Sequence, residues 1–172
     1  FDIRLSGRTG TDLRNELTRA EATLPDAPVL LMCSLNCALI VRREYPRLAR
    51  GLLFDPDGLR WHRYVGLIPG PDMLNRTAIL MPFGALPDRI DQIRSLFGER
   101  VFIRPDSPLK PFPGAPMRTE DIPAELSGIR QVNHVHDDEL VVVDRYQDLP
   151  EDEFRFWLVE GRVVARAGYR LF

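Results

Sequence analysis

Val101-Phe-Ile-Arg104-Pro-Asp-Ser-Pro-Leu-Lys110-Pro-Phe-Pro-Gly114 is the stretch on which the reading of this chain turns. Val101-Phe-Ile is a β-type run, and it ends in Arg104. The loop that follows holds Pro105, Pro108, Pro111, Pro113 and Pro116, a density that excludes a central strand or a helix. So stiff a loop suits a lid that must hold one side chain in place, and the side chain it carries is Lys110. Two permanent cations at the mouth of a strand, with Asp106 as the one acidic neighbour, form a pattern suited to an anion such as a polyphosphate.

The rest of the chain bounds that reading. It has 172 residues, 44% of them hydrophobic and 28% charged, so it can bury a core without disulfide staples. The net charge of −2 leaves no bulk basic field for nucleic acid, and anion binding must come from local placement of Arg and Lys. Cys33 and Cys37 lie in the apolar run from Val29 to Val41 and lack a second ligand pair for zinc. They read as buried free thiols, and a reducing, cytoplasmic compartment is the expectation. The same run is well short of the ~20 residues that span a bilayer. The chain starts at Phe1 without a signal-peptide pattern, and it reads as a trimmed piece.

Periodicity and turn chemistry supply the elements. A helix is expected over residues 11–22, a buried strand over 29–33, and a helix over 35–45 with Ser34 as N-cap and Pro46 as stop. Pro56, Asp57 and Gly58 supply the turn of an expected hairpin over 51–65. A short strand over 78–81 precedes an amphipathic helix over 86–97, whose apolar face is Leu86, Ile90, Ile93 and Phe97 and whose C-terminal stop is Gly98. After the strand 100–104 come a short helix over 119–126, a buried strand over 140–143, and a second hairpin over 154–169 turning at Glu160-Gly161. The expected class is α+β or α/β. It comprises a small N-terminal α/β lobe (1–98) and a lobe rich in antiparallel strands (99–172).

Asp144 ends the buried strand 140–143, and a polar loop through Gln147 and Asp148 follows it. Exposed backbone groups at such a strand end can pair with a purine, and a carboxylate can accept from an amino group or a ribose hydroxyl. Glu153 and Arg155 alternate with Phe154 and Phe156, so they share a strand face. Plainer readings stand beside these: Asp144 as a turn cap, and Glu153–Arg155 as structural ion-pair partners. His134 and His136 share a face near Asp137 and Asp138, without an evident further metal ligand, so they read as a polar loop. Trp61 and Trp157 read as core or hairpin packing residues, and Asn75 as a residue able to face substrate.

Together these motifs resemble the ATP-grasp superfamily of carboxylate–amine ligases. The family's nucleotide strand ends in Lys-Pro, which Val101-Phe-Ile-Arg104-Pro105 resembles with arginine for lysine. Its hinge resembles Val141-Val-Val-Asp144-Arg-Tyr146, and its next strand resembles Glu153-Phe-Arg155 running on to Val159-Glu-Gly161-Arg-Val163-Val164. The arginine, paired with Lys110 in a proline-rich loop, is similar to a small bacterial and viral branch associated with peptide or amino-acid ligation. The resemblance is strongest over residues 100–170. It implies that Arg104 and Lys110 bind the phosphates of ATP, that Asp144 with the backbone of Arg145 and Tyr146 binds adenine, and that Glu153 binds ribose. It further implies that Arg155 and Arg170 face the γ-phosphate or the acyl substrate, as catalytic residues. ATP and Mg²⁺ are the expected cofactors, with carboxylate and amine as small-molecule or peptide partners and no nucleic acid or membrane. The family's metal-binding segment would lie beyond residue 172, so the metal ligands are expected outside this chain, and the family's glycine-rich flap is replaced by the proline-rich loop. The alternative expectation is a catalytically incomplete nucleotide-binding or regulatory protein with a degenerate grasp fold.

Overall fold

The computed structural model describes residues 10–26, 28–68, 73–74, 76–149 and 152–170. The described residues form a mixed α+β architecture of six α-helices, a four-stranded antiparallel sheet and a β-hairpin. None of the helices is long and apolar enough to cross a membrane.

The N-terminal third packs three helices: α1 (Gly10–Ala22), α2 (Leu35–Glu44) and α3 (Pro46–Ala49). Leu17, Val41 and Leu48 are fully buried among them, together with Cys37, Leu31 and Tyr45. Ser34 caps α2 by accepting from Cys37 N at 3.3 Å, as its position before the apolar run predicts. Pro46 ends α2 and opens α3, because it has no N–H to continue the ladder. The Arg47 guanidinium donates to the carbonyls of Glu21 and Leu24 at 3.0 and 3.2 Å, at the C-terminal end of α1. Burial pushes the Cys37 thiol up to about 12, with the Cys33 thiol beside it as a lesser cause, so Cys37 is an inert core residue.

Two sequence expectations fail in this region. Residues 29–33 are extended but unpaired apart from Leu31 N donating to Gly51 O at 2.8 Å. Leu31 turns inward and Cys33 packs partly buried against the same cluster, while Leu30 and Met32 face solvent. The segment 51–65 is not a hairpin. It forms a 3-10 turn at Asp57–Leu59, the short helix α4 (Trp61–Tyr64) and a further 3-10 turn at Val65–Leu67. Pro56 adopts a helical conformation, and Asp55 Oδ1 accepts from Asp57 N at 3.0 Å. The N–H groups of Trp61 and His62 then go to Asp106 instead of a partner strand, at 3.2 and 2.9 Å.

The sheet has the order β1-β4-β2-β3, with β1 Ile79–Pro82, β2 Arg100–Pro105, β3 Ala115–Arg118 and β4 Leu140–Arg145. Every neighbouring pair is antiparallel. Alternation along the two central strands sends Val101, Ile103, Val141 and Val143 into one core. Helix α5 (Ile90–Phe97) adds Ile93 and Phe97 to that core, and α6 (Ile122–Asn133) adds Ile122 and Leu126. Burial of each such side chain contributes about 1.5–3 kcal/mol. Gly98 ends α5 at φ +93, as its sequence position predicts. The sheet takes β1 from before residue 98 and its other strands from after it.

One helix runs longer than expected, and one strand was not expected. The helix after Thr119 extends to Asn133 and tolerates Pro123 in its first turn, where no intrahelical N–H bond is lost. Pro116 lies within β3 and not in the loop, which an edge strand permits. Strands β5 (Asp152–Val159) and β6 (Arg162–Arg170) form the second hairpin. Its two-residue turn, Glu160 at φ +51 and Gly161 at φ +75, matches the twist of the strands. Trp157 is 46% exposed, so of the two tryptophans only Trp61 is a core residue.

Candidate functional site

The second face of the four-stranded sheet carries the residues that the sequence singles out. Phe102 stands opposite Asp144, and Arg104 stands opposite Val142. Directly opposed residues of an antiparallel pair project from the same face, so Phe102, Arg104, Val142 and Asp144 share it. Phe102 and Arg104 lie about 7 Å apart along β2.

A narrow pocket of about 70 Å³ opens between Phe102, Leu74 and the strand-to-hairpin linker at Arg145, Tyr146, Gln147 and Leu149. Arg100 fixes the linker's start: its guanidinium lies 3.9 Å from the centre of the Tyr146 ring, and its carbonyl accepts from Tyr146 N at 3.2 Å. Gln147 donates from its side chain to Leu74 O at 3.1 Å. The backbone of residues 147–149 makes no hydrogen bond to another described backbone group. A flat heterocycle entering this pocket would meet an aromatic wall and an open backbone edge.

Asp144, next in sequence to Arg145 and opposite Phe102, has an incomplete set of partners. Its side chain is 1% exposed. Oδ1 accepts from Thr77 Oγ1 at 3.2 Å and from Arg145 N at 2.8 Å. Oδ2 is buried without a partner among the described residues. Leaving a buried acceptor unsatisfied costs roughly 1–3 kcal/mol, which a ligand donor would recover.

The proline-rich loop folds back over the same face. A Cβ built on Gly114 would lie 2.9 Å from Arg104 Cβ and 2.9 Å from Phe102 Cζ, so only glycine permits this approach. Phe112 anchors the loop in the core, 5.7 Å from Phe83 between ring centres. Ser107 sets its turn, accepting from Lys110 N at 3.1 Å through its carbonyl and from Leu109 N at 3.3 Å through Oγ. Lys110 is exposed and sits at φ +49, a region where a side chain is strained. Its backbone position suits glycine, and what lysine adds there is a cation on a loop anchored by Phe112 and Gly114.

Other candidates lie apart from this pocket. Glu153 and Arg155 do share a face of β5, opposite Tyr169 and Ala167, but neither lines the Phe102 pocket. The Arg170 side chain and Asn75 fall outside the described residues. His134 ends α6 in a left-handed conformation and His136 O accepts from Glu139 N, so both are loop residues. Among the described residues no group of three His, Cys, Asp or Glu side chains could hold a metal ion.

Sequence reasoning missed a second cluster at the far end of β2. Asp106 has no exposed side-chain surface, and its Oδ2 lies 2.9 Å from His62 Nδ1 and 3.6 Å from an Arg60 guanidinium nitrogen. With Arg63, Asp57, Asp138 and Glu139, residues 60 and 62 line a pocket of about 380 Å³. Burial raises the Glu139 carboxyl above its ordinary value, Asp106 and Asp138 push it the same way, and Arg60 and His136 oppose the shift. The one signal available in the sequence was Asp106 itself, the lone acid beside two cations. Neither family models, curated proteins nor solved structures match the chain.

Two outcomes follow for stability. Lys110→Gly relieves the backbone strain, and denaturant titration should show stability unchanged or raised by up to about 1 kcal/mol. A carboxyl raised on folding binds more protons in the folded state, so stability falls as pH rises from the ordinary Glu value of 4.5 through the raised one. Glu139→Gln should therefore raise the melting temperature at neutral pH, and the gain should vanish as the medium is acidified below the ordinary Glu range.

Proposed function

We propose that this chain binds ATP on the second face of its sheet and belongs to a carboxylate–amine ligase of ATP-grasp type. The observation that carries the reading is the buried, unpartnered Oδ2 of Asp144, opposite Phe102 and beside the linker pocket. Adenine in the pocket would give that oxygen a donor, the exocyclic amine or a ribose hydroxyl. Arg104, about 7 Å further along the same strand face, then falls toward the phosphates. Lys110 is proposed to reach the phosphates from the same loop, which closes over Arg104 through Gly114. The element order β2, an anchored loop, β3, α6, β4, a linker and the β5–β6 hairpin supports reading the finer architecture as a grasp arrangement.

The chemistry suits these residues. The γ-phosphoryl group passes to a carboxylate, and an amine then displaces phosphate from the acyl phosphate, as in peptide or amino-acid ligation. Phosphoryl transfer needs position and charge neutralisation more than a side-chain nucleophile, and two anchored cations supply both. Mg²⁺ would neutralise phosphate charge when bound; the described residues offer no three-ligand set for it. Glu153, Arg155 and Arg170 are proposed to meet the ribose, the γ-phosphate or the acyl substrate from the hairpin.

ADP and Mg-ATP should each raise the melting temperature. Arg104→Ala should abolish that rise, and Lys110→Gly should reduce it while preserving the fold. A wild-type protein whose melting temperature ignores both nucleotides would contradict the reading. Nucleotide binding without ADP release in the presence of carboxylate and amine would favour the regulatory alternative.

A further inference from the structure

The pocket beyond Arg104 holds a pair of groups that nucleotide binding does not use. Asp106 follows Arg104 by two residues, so the pocket lies within about 7 Å of chain from the proposed phosphate site. Asp106 Oδ2 accepts from His62 Nδ1 at 2.9 Å, while Oδ1 accepts from His62 N at 2.9 Å. One buried carboxylate thus fixes both the backbone and the ring of the same histidine. The His62 side chain is 32% exposed while Asp106 is 0% exposed, so the ring edge left toward the pocket is the one bearing Nε2. In a neutral ring that donates from Nδ1, Nε2 carries no proton and can accept one.

The lining around it is of both signs. Arg60 and Arg63 stand with Asp57, Asp138 and Glu139 around about 380 Å³. Arg60 is partly engaged, 3.8 Å from Asp57 and 3.6 Å from Asp106. Arg63 has no partner among the described residues, and Glu139 Oε1 is buried without one. A simple anion would meet too many carboxylates here, and a simple cation too many guanidinium groups. A small zwitterion satisfies both: its acidic group on Arg63 and Arg60, its ammonium between Glu139 and His62.

We infer that this pocket takes the amine substrate, a small molecule carrying both an ammonium and an acidic group, and that His62, oriented by Asp106, is its general base. The inference rests on the ligase reading above. His62 Nε2 takes a proton from the ammonium. The freed nitrogen lone pair attacks the acyl-phosphate carbonyl carbon, a C–N bond forms, and the C–O bond to phosphate breaks with its electron pair leaving on phosphate. The second amine proton passes to solvent. Asp106 is a positioning residue; it also caps α4, and the experiment must separate the two roles.

Asp106→Asn does so. The amide oxygen can still accept from His62 N, but the amide nitrogen donates to the ring, which moves the ring proton to Nε2. The probes are the common L-amino acids, read on full-length protein with ¹⁵N-labelled histidine; His62→Gln identifies His62 among the three histidines. Wild-type His62 should be protonated at Nδ1, and at least one amino acid should move its Nε2 resonance. Asp106→Asn should switch the tautomer with a native-like spectrum, and Arg63→Ala should abolish the amino-acid response. A wild-type ring protonated at Nε2, or no response to any amino acid, would overturn the inference, and both readings stand even where Asp106→Asn fails to fold. ADP titrated into the same sample separates the two proposals. ADP binding without an amino-acid response sinks this inference alone, whereas an amino-acid response without ADP binding sinks the ligation step.

Discussion

The pairing of β2 with β4 is the constraint on which the rest depends. Its register sets Ile103 against Val143 and Val101 against Arg145, and thereby fixes which face of the sheet each residue occupies. Val101, Ile103, Val141 and Val143 are fully buried on the helix-covered side. A one-residue slip of β2 against β4 would turn Val101 and Ile103 out of this core and Arg104 into it, a change the hydrophobic term opposes. The fold therefore places Phe102, Arg104 and Asp144 together as a consequence of packing its core. The candidate face carries Arg104 and Asp144 with Phe102 and Val142, while the opposite face of the alternation holds the core together.

Both ends of β2 are then tied to something further away. At its start, Arg100 holds the Tyr146 ring and the linker that walls the Phe102 pocket. At its end, Asp106 takes up the first N–H groups of α4 and the His62 ring. Between them the proline-rich loop is pinned by Phe112 in the core and by Gly114 against Arg104. A strand of six residues thus organises two pockets and the loop above them. Rigid backbone of this kind suits a site that works by positioning charge.

Local patterns in the sequence were enough for α1, α2, α5, strands β1, β2 and β4 and the second hairpin, but not for β3, whose residues read as part of the proline-rich loop. Ser34, Pro46, Gly98 and Glu160-Gly161 mark their boundaries with chemistry that acts within a few residues. The failures all involve a distant partner. The Pro56-Asp57-Gly58 turn fits a hairpin locally, but Asp106 captures the N–H groups that a hairpin would need. Residues 29–33 alternate like a strand yet find only the Gly51 carbonyl. The site divides the same way. Arg104, Lys110 and Asp144 were legible because a strand's end and a stiff loop are local facts. The His62–Asp106 pair was not, since 44 positions separate them and nothing in either neighbourhood names the other. The incomplete partnering of Asp144 was equally hidden, being a property of packing alone.

The central claim is that a nucleotide lies across Phe102, Asp144 and Arg104, with its base against the linker. Amide chemical-shift mapping during an ADP titration addresses it residue by residue. The account predicts that the largest changes fall on Phe102–Arg104, Asp144–Gln147 and the Lys110 loop, with the N-terminal helices unmoved. Saturable changes centred anywhere else, or none at all, would contradict it.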